Sequence, residues 1–202
     1  MDQRTVQYYD DNAEHYFELY QRSESGVAKY FRLAFPPGSE VLDIGAGSGR
    51  DMGLLVREGC EPYGTEPSAR LRDLAAAHLP DLAGRIYGGA LPRLSQQIDR
   101  KFDGILCAAV LQHVPEEQLF DAAFDIRNLL KPGGRLLISF PKDRPGLDAS
   151  GRDEHGRLYT KLNPGPVELL FERLGFLRVG RWKDDDSLGR AGFTWVTLLL
   201  TL

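Results

Sequence analysis

The chain has 202 residues, of which 42% are hydrophobic and 27% charged, with a formal net charge of −4. This length suits one complete α/β domain, and the composition is that of an ordinary globular protein. The acidic balance argues against a nucleic-acid partner, because phosphate binding depends on clustered Lys and Arg that release counterions.

The apolar runs and the cysteines indicate the cellular compartment in which we expect the protein. The longest apolar runs, 104–111 and 196–202, are far shorter than the roughly 18 residues that suggest a membrane helix. Residues 1–11 carry no apolar core of the kind that a secretory signal needs. Cys60 and Cys107 form no CxxC pair and no metal-type cluster. We therefore expect no metal and no membrane association, and a reducing cytoplasm is the simplest setting.

Short apolar runs alternate with longer amphipathic stretches, which predicts repeated βα units around a parallel sheet. The spacing predicts helices over 2–20 and 24–34, the second of them ended by Pro36, Pro37 and Gly38. The elements then predicted in order are a strand at 40–44, a helix at 50–58, a strand at 60–65, a helix at 68–78, a weaker strand at 84–88, a strand at 102–109, a helix opening at 115–117, a turn at 131–134, a strand at 135–140, an irregular stretch at 141–163 and a helix at 165–174. Strands at 176–182 and 193–201 end the chain, and the polar turn between them suggests an antiparallel hairpin at one edge of the sheet.

The sharpest local signal is the glycine-rich turn in VLDIGAGSGRD, residues 41–51. A hydrophobic strand leads into Gly45, Gly47 and Gly49, and a helix begins just beyond them. Glycine lets the backbone turn tightly and lets a ligand approach the main chain. Amide groups at the start of the helix point at that ligand. A tight turn without a ligand is the alternative, since a glycine-rich loop alone is weak evidence.

Two further features indicate an adenosine-containing ligand. Glu66 ends the second predicted strand, 17 residues after Gly49, where a carboxylate can accept hydrogen bonds from both ribose hydroxyls. Arg50 occupies the position of the third glycine in the dinucleotide fingerprint, and no phosphate-binding lysine follows the loop. The pattern therefore favours a ligand with adenosine but without a pyrophosphate.

Five segments of the chain resemble motifs of one protein family. VLDIGAGSGRD resembles the first motif of class I S-adenosylmethionine-dependent methyltransferases, and Glu66 in YGTEPS resembles their ribose-binding acid. FDGILCAAVLQHVP (102–115) is similar to the family's fourth-strand motif and LLKPGGRLLISFP (129–141) to the segment before its fifth strand. YYDDNAEHYFELYQR (8–22) resembles the N-terminal cap helix of members that act on small molecules.

The resemblance implies a fold and a domain organisation. Residues 1–202 would form a single α/β domain with a three-layer, Rossmann-like architecture. Its seven-stranded, mostly parallel sheet would carry an antiparallel C-terminal hairpin strand. Residues 1–35 would form a helical cap and residues 141–163 a lid loop over the substrate.

The resemblance also implies S-adenosylmethionine as cofactor, with S-adenosylhomocysteine as product. The glycine turn would wrap the methionine part, Asp43 and Asp51 would bracket that turn, and Glu66 would hold the ribose. The residues implied to bind the cofactor are Tyr16, Arg22, Asp43, Gly45, Ala46, Gly47, Gly49, Asp51, Glu66, Pro67, Ala90, Leu91, Cys107, Ala108 and Ala109. One departure concerns adenine, because Gly88 and Gly89 stand where the family often has an acidic residue.

Candidates for the acceptor side are fewer. His113 lies just past the fourth strand and is the candidate general base, which is needed only if the acceptor is a hydroxyl or a protonated amine. An architectural role for His113 is the alternative. His155, Arg157 and Tyr159 lie in the irregular stretch 141–163 and are candidate substrate contacts, since loops carry specificity.

The function predicted from the sequence is methyl transfer to an unidentified small molecule. A non-catalytic protein that binds S-adenosylmethionine stays open, as does a nicotinamide-dependent oxidoreductase, although Arg50 and the lack of a Tyr-x-x-x-Lys pair count against the latter. The chain has no Asn-Pro-Pro-Tyr tetrapeptide and no Pro-Cys dipeptide, which are features of DNA-methylating enzymes. The sequence leaves open the methylated atom and the oligomeric state.

Overall fold

A seven-stranded sheet runs through the middle of the computed structural model, which describes residues 1–202. The strands are β1 (Glu40–Ile44), β2 (Glu61–Thr65), β3 (Ile86–Tyr87), β4 (Phe102–Ala108), β5 (Leu130–Asp143), β6 (Leu177–Asp185) and β7 (Thr194–Thr201). The helices are α1 (Gln3–Asp11), α2 (Ala13–Arg22), α3 (Phe31–Ala34), α4 (Arg50–Arg57), α5 (Ala69–His78), α6 (Leu119–Leu129) and α7 (Pro164–Arg173). None of these helices is long and apolar enough to cross a membrane.

The strand order is β3-β2-β1-β4-β5-β7-β6. β1 pairs in parallel with both β2 and β4, so the chain reverses its direction of winding between β1 and β4. Open α/β sheets bind ligands at such a switch point, beyond the carboxyl ends of the strands. β7 is antiparallel to both β5 and β6 and lies between them. The predicted Rossmann-like architecture and its antiparallel C-terminal strand are confirmed.

Both faces of the sheet are buried. Successive side chains of a strand point to opposite faces, and accordingly Leu42 and Ile44 belong to a core cluster of 26 buried residues. Val41 belongs to a second cluster of 10 on the other face, together with Leu55 of α4. The continuous apolar character of the central strands follows from this burial on both sides, which is typical of parallel sheets.

The N-terminal helices differ from the prediction. The predicted helix over 2–20 is wrong as one element, because α1 and α2 meet at Asn12, whose Nδ2 donates to the carbonyl oxygen of Tyr8 at 2.8 Å. That side-chain bond competes with the helical backbone pattern. The predicted helix over 24–34 is also too long. Only a 3₁₀ turn at Ala28–Tyr30 and the short α3 form, since the Ser25 hydroxyl accepts from the amides at the start of this turn.

Two strands also differ from prediction. The third strand pairs over only two residues, Ile86 and Tyr87, because a 3₁₀ helix occupies the chain up to Arg85. β5 begins at Leu130 and continues to Asp143, beyond both predicted ends. The predicted turn at 131–134 survives inside β5 as an irregularity, where Leu130 and Arg135 face positions 102 and 104 of β4.

Candidate active site

A cavity of about 380 Å³ lies at the carboxyl ends of β1, β2 and β4. Its walls come from the turn after β1, the end of β2, the segment after β4, the helices α1 and α2, the loop at 144–163 and the β6–β7 hairpin. Six separated parts of the chain therefore enclose one space at the switch point of the sheet.

The glycine turn forms the floor of this cavity. Gly45 has φ of +72°, and its amide donates to the carbonyl oxygen of Thr65 at 2.8 Å. A Cβ at Gly45 would lie 2.5 Å from Cγ2 of Val110, so a side chain has no room there. A Cβ at Gly47 would lie 3.7 Å from the ring of Tyr20, in the space between the turn and the cap. Glycine thus keeps open a cradle that side chains would fill.

Glu66 closes one side of that cradle. Its two carboxylate oxygens accept hydrogen bonds from the amides of Gly47 at 3.0 Å and Ser68 at 2.8 Å. Burial raises the pKa of Glu66 to about 7, although both amides oppose the shift. A buried carboxylate whose charge is held only by backbone amides can accept further donors, such as sugar hydroxyls.

The same end of the cavity is acidic. Asp43 is buried, lines the cavity and accepts no hydrogen bond from the protein. Its pKa lies well above its usual range because of burial and the neighbouring Asp51 carboxylate. Asp51 itself is paired with Arg50, at 3.0 and 3.2 Å, and Nη1 of Arg50 donates to the Ser23 hydroxyl. This end suits a cationic ligand better than a phosphate.

The chain leaves β4 through an unusual backbone conformation. Ala109 has φ of +58°, which is strained for a residue with a side chain. Its amide donates to the Ser139 carbonyl oxygen at 2.9 Å and its carbonyl accepts from Nε2 of Gln112 at 2.7 Å. Ala108 and Ala109 line the cavity, whereas the side chain of Cys107 is in the core. The strained turn places Gln112 and His113 at the wall of the cavity.

His113 is held in one tautomer. Its Nδ1 lies 2.6 Å from the carbonyl oxygen of Leu158, an acceptor only, so Nδ1 carries the proton and Nε2 is free to accept. The nearest polar atoms to Nε2 are the Tyr9 hydroxyl and Nε2 of Gln112, each 3.5 Å away. Burial lowers the pKa of His113 to about 4. The imidazole is therefore neutral at physiological pH, and Oε1 of Gln112 beside it is buried without a partner.

The loop at 144–163 is fastened to the N-terminal helices across the cavity. Arg157 pairs with Asp153 at 2.7 Å and donates to the hydroxyls of Tyr16 at 2.9 Å and Tyr9 at 3.2 Å. Arg152 pairs with Asp2 at 2.8 Å, on the outer side of the same contact. Burial opposes the charge of Arg157, yet the surrounding phenols and Asp153 keep its pKa above its ordinary value.

Most of the predicted site residues line this cavity. They are Tyr16, Asp43, Gly45, Ala46, Gly47, Asp51, Glu66, Pro67, Ala108, Ala109, His113, Arg157 and Tyr159. The structure does not bring Arg22, Gly49, Ala90, Leu91, Cys107 or His155 to it.

The reasons for these exceptions are local. Arg22 is 80% exposed and pairs with Glu18 one helical turn away. A Cβ at Gly49 would meet Leu79, so this glycine serves the packing of α4. Leu91 is fully buried in the core, and His155 stacks on the outer Tyr8 ring at 5.1 Å.

Sequence reasoning named no ligand contact at several residues that line the cavity: Arg50, Leu71, Gln112, Ser139, Phe193 and Trp195. Gln112 directly precedes His113, and Ser139 lies near the end of a core strand, so position relative to the sheet could have signalled both. Phe193 and Trp195 carry no local signal. The fold of the β6–β7 hairpin alone brings them to the cavity.

Comparison with known proteins identifies related sequences. Residues 13–178 match the family model described as the methyltransferase domain. A demethylmenaquinone methyltransferase of Tropheryma whipplei (strain Twist) is 34% identical over 109 residues, which cover 52% of this chain and 43% of that protein. The match thus spans less than half of the relative's length.

Solved structures share the fold across nearly the whole chain. The 1,6-didemethyltoxoflavin-N1-methyltransferase of Burkholderia thailandensis, solved with 1,6-didemethyltoxoflavin and S-adenosylhomocysteine, has a TM-score of 0.74 at 20% identity and covers 97% of this chain and 87% of its own. The cyclase SpnF has a TM-score of 0.74 at 17% identity and covers 100% and 97%. At these identities the likeness concerns the fold.

Proposed function

This chain belongs to the methyltransferase domain family and has the Rossmann-like fold of its class I members, and we propose that it transfers the methyl group of S-adenosylmethionine to a small molecule, releasing S-adenosylhomocysteine. The observation that carries the proposal is the cradle formed by the glycine turn and Glu66 at the acidic end of the cavity. Fold alone would not suffice, because the cyclase SpnF has it too.

The residues of the cradle fit this cofactor. Glu66 has free lone pairs for two ribose hydroxyls, and Asp43 offers an unpaired carboxylate to a cationic group. Pro67 and Leu71 provide apolar surface beside Glu66 for the adenine. Arg50 stands where the dinucleotide fingerprint has its third glycine, which supports the methyltransferase over the oxidoreductase.

The bound cofactor supplies a methyl group on a positively charged sulfonium, which is a good neutral leaving group. The contribution of the chain is to hold the acceptor in line with that methyl and to exclude water. Ala108 and Ala109 line the cavity at the carboxyl end of β4. His113 lines the cavity and is neutral, so its Nε2 takes the proton of a hydroxyl or amine acceptor.

Several features support a small acceptor. The loop at 144–163 and the N-terminal helices close over the cavity and are joined by Arg157 and Arg152, so we propose that they act as lid and cap of one domain. Their charges are largely paired, which supports a substrate other than nucleic acid. Both cysteines are free thiols, which supports a reducing compartment such as the cytoplasm.

Calorimetry tests the proposal. S-adenosylmethionine, S-adenosylhomocysteine and NAD are titrated into the wild-type protein and into Glu66→Ala, with Glu61→Ala as the matched control because Glu61 is an exposed acid at the other end of the same strand. We expect both sulfur compounds to bind, weakened by Glu66→Ala only, and NAD to fail. Failure of both sulfur compounds would overturn the proposal. Binding of both sulfur compounds without turnover of any acceptor would indicate a non-catalytic protein that binds the cofactor.

A further inference from the structure

The end of the cavity away from Glu66 has the opposite character, with arginines and aromatic rings. We call Arg144, Arg157 and Arg190, with the carboxylates of Asp153 and Asp186, the arginine cluster. Of these, Arg157 and Arg190 line the cavity, and the other three are joined to them through ion pairs. Asp153 accepts from both Arg144, at 2.9 Å, and Arg157, at 2.7 Å. Asp186 is paired only with Arg190, at 2.6 Å. Three guanidinium groups thus share two carboxylates, which leaves one positive charge in excess.

Neighbouring acids do not remove this excess. Asp184 also lines the cavity, but it is paired with Lys29 at 2.8 Å and accepts from Tyr30 and Thr197. Asp185 is exposed to solvent at the rim, where water screens its charge. The excess charge of the arginine cluster is therefore unbalanced inside the protein.

Two guanidinium nitrogens of the cluster lack acceptors. Nε of Arg144 is buried and has no hydrogen-bond partner. Arg190 lines the cavity, and while its Nε and Nη2 hold Asp186, its Nη1 has no acceptor in the protein. Because the Arg190 side chain is 36% exposed, its Nη1 can donate to a bound anion without losing a protein partner. An anionic group in the cavity would satisfy both the charge and the Nη1 donor.

The walls around this cluster are aromatic. Tyr9, Tyr159, Phe193 and Trp195 all line the cavity. The guanidinium of Arg190 lies 4.1 Å from the centre of the Phe193 ring, and that of Arg144 lies 4.2 Å from the centre of Tyr159. Aromatic walls favour a flat ring through stacked or edge-to-face contacts.

The remaining polar atoms indicate where the methyl-accepting atom points. Nε2 of His113 is an acceptor whose nearest donors, the Tyr9 hydroxyl and Nε2 of Gln112, lie 3.5 Å away, and His113 lines the cavity. An acceptor that has no short hydrogen bond within the protein suits a ligand that brings an O–H or N–H bond to it.

From these contacts we infer that the acceptor is a planar aromatic compound with a carboxylate substituent, bound with the carboxylate against Arg190 and its reacting O–H or N–H toward His113. The inference rests on the proposed function. The acceptor's heteroatom forms a bond to the methyl carbon, the carbon–sulfur bond breaks with its electron pair staying on sulfur, and His113 Nε2 receives the proton.

Binding of matched probes tests this inference. Hydroxylated benzoates and hydroxypyridine carboxylates, each paired with its primary carboxamide and with a hydroxylated cyclohexane carboxylate, are titrated into protein saturated with S-adenosylhomocysteine. The carboxamide removes the charge and the cyclohexane removes the flat ring. We expect at least one aromatic acid to bind about tenfold more tightly than both of its partners, since charge-assisted hydrogen bonds are the strong ones.

Variants of Arg190 test whether this residue causes the preference for the acid over the carboxamide. Arg190→Met is expected to abolish the preference of acid over carboxamide, and Arg190→Lys to keep part of it. Arg181→Met is the matched control, because Arg181 lies on the same hairpin, pairs with Glu168 of α7 and does not line the cavity. The inference is overturned if no acid binds more tightly than its carboxamide while S-adenosylhomocysteine does bind. Failure of S-adenosylhomocysteine itself would instead reject the proposed function.

Discussion

The raised pKa of Glu66 makes cofactor affinity depend on pH. Hydroxyl donors of a ribose favour the ionised carboxylate, whereas burial holds its pKa at about 7 in the ligand-free protein. Binding should therefore release a proton at acidic pH, and the affinity for S-adenosylhomocysteine should rise as the pH increases through 7. In the ligand-free protein, the same shift stabilises the fold below the unfolded pKa of 4.5, and this contribution is lost as the pH rises through about 7.

The size of the effect follows from the pKa. With a value of about 7, about one Glu66 side chain in eleven is ionised at pH 6 and about ten in eleven at pH 8. If only the ionised form binds, the affinity rises about tenfold over this range, which corresponds to about 1.4 kcal/mol. Glu66→Gln should bind more weakly at pH 8 and show no such rise.

Calorimetry at several pH values, repeated in two buffers of different ionisation enthalpy, measures both the affinity and the proton release. Asp43→Asn is the necessary control, since Asp43 is the other cavity acid with a raised pKa. Affinity that is flat or falling between pH 6 and pH 8 would refute the reasoning. If the rise in affinity persists in Glu66→Gln but disappears in Asp43→Asn, the titrating group is Asp43.

Three further outcomes are expected. Gly45→Ala should destabilise the protein by about 1–3 kcal/mol in urea unfolding, because its positive φ strains a side chain and the new Cβ meets Val110. Adding Val110→Ala should recover only the steric part, and complete recovery would show that backbone strain is unimportant. His113→Asn should lower kcat about 10²-fold or more for a hydroxyl acceptor while cofactor affinity stays the same; a loss confined to KM would assign it a binding role. In the wild type, the pKa of His113 near 4 predicts no inflection from this residue between pH 6 and 8. Asp153→Asn should cost about 3–5 kcal/mol by leaving two guanidinium groups without their carboxylate, and an effect no larger than that of exposed Glu154→Gln would contradict the described ion pairs.

Local sequence patterns were sufficient to predict the residues that form the cofactor end of the cavity. A buried strand, a turn that requires positive φ at Gly45 and Gly47, and a helix start are all determined by residues close in sequence. Glu66 follows from the same logic, because the carboxyl ends of neighbouring parallel strands meet at one edge of the sheet. Local patterns were less reliable where a single side chain interrupts a regular element, as Asn12 does between α1 and α2.

Only the tertiary structure determined which residues form the acceptor end, the end of the cavity away from Glu66. The tautomer of His113 is fixed by the carbonyl of Leu158, 45 residues away, and Asp153 joins Arg144 and Arg157 from within an irregular loop. Arg190 reaches the same cavity from the β6–β7 hairpin. These contacts join segments that are distant in sequence and have no repeating pattern, and the packing that brings the segments together depends on the whole sheet. The sequence by itself therefore determined the fold and the cofactor cradle, whereas the charge and shape of the acceptor end arise from long-range packing.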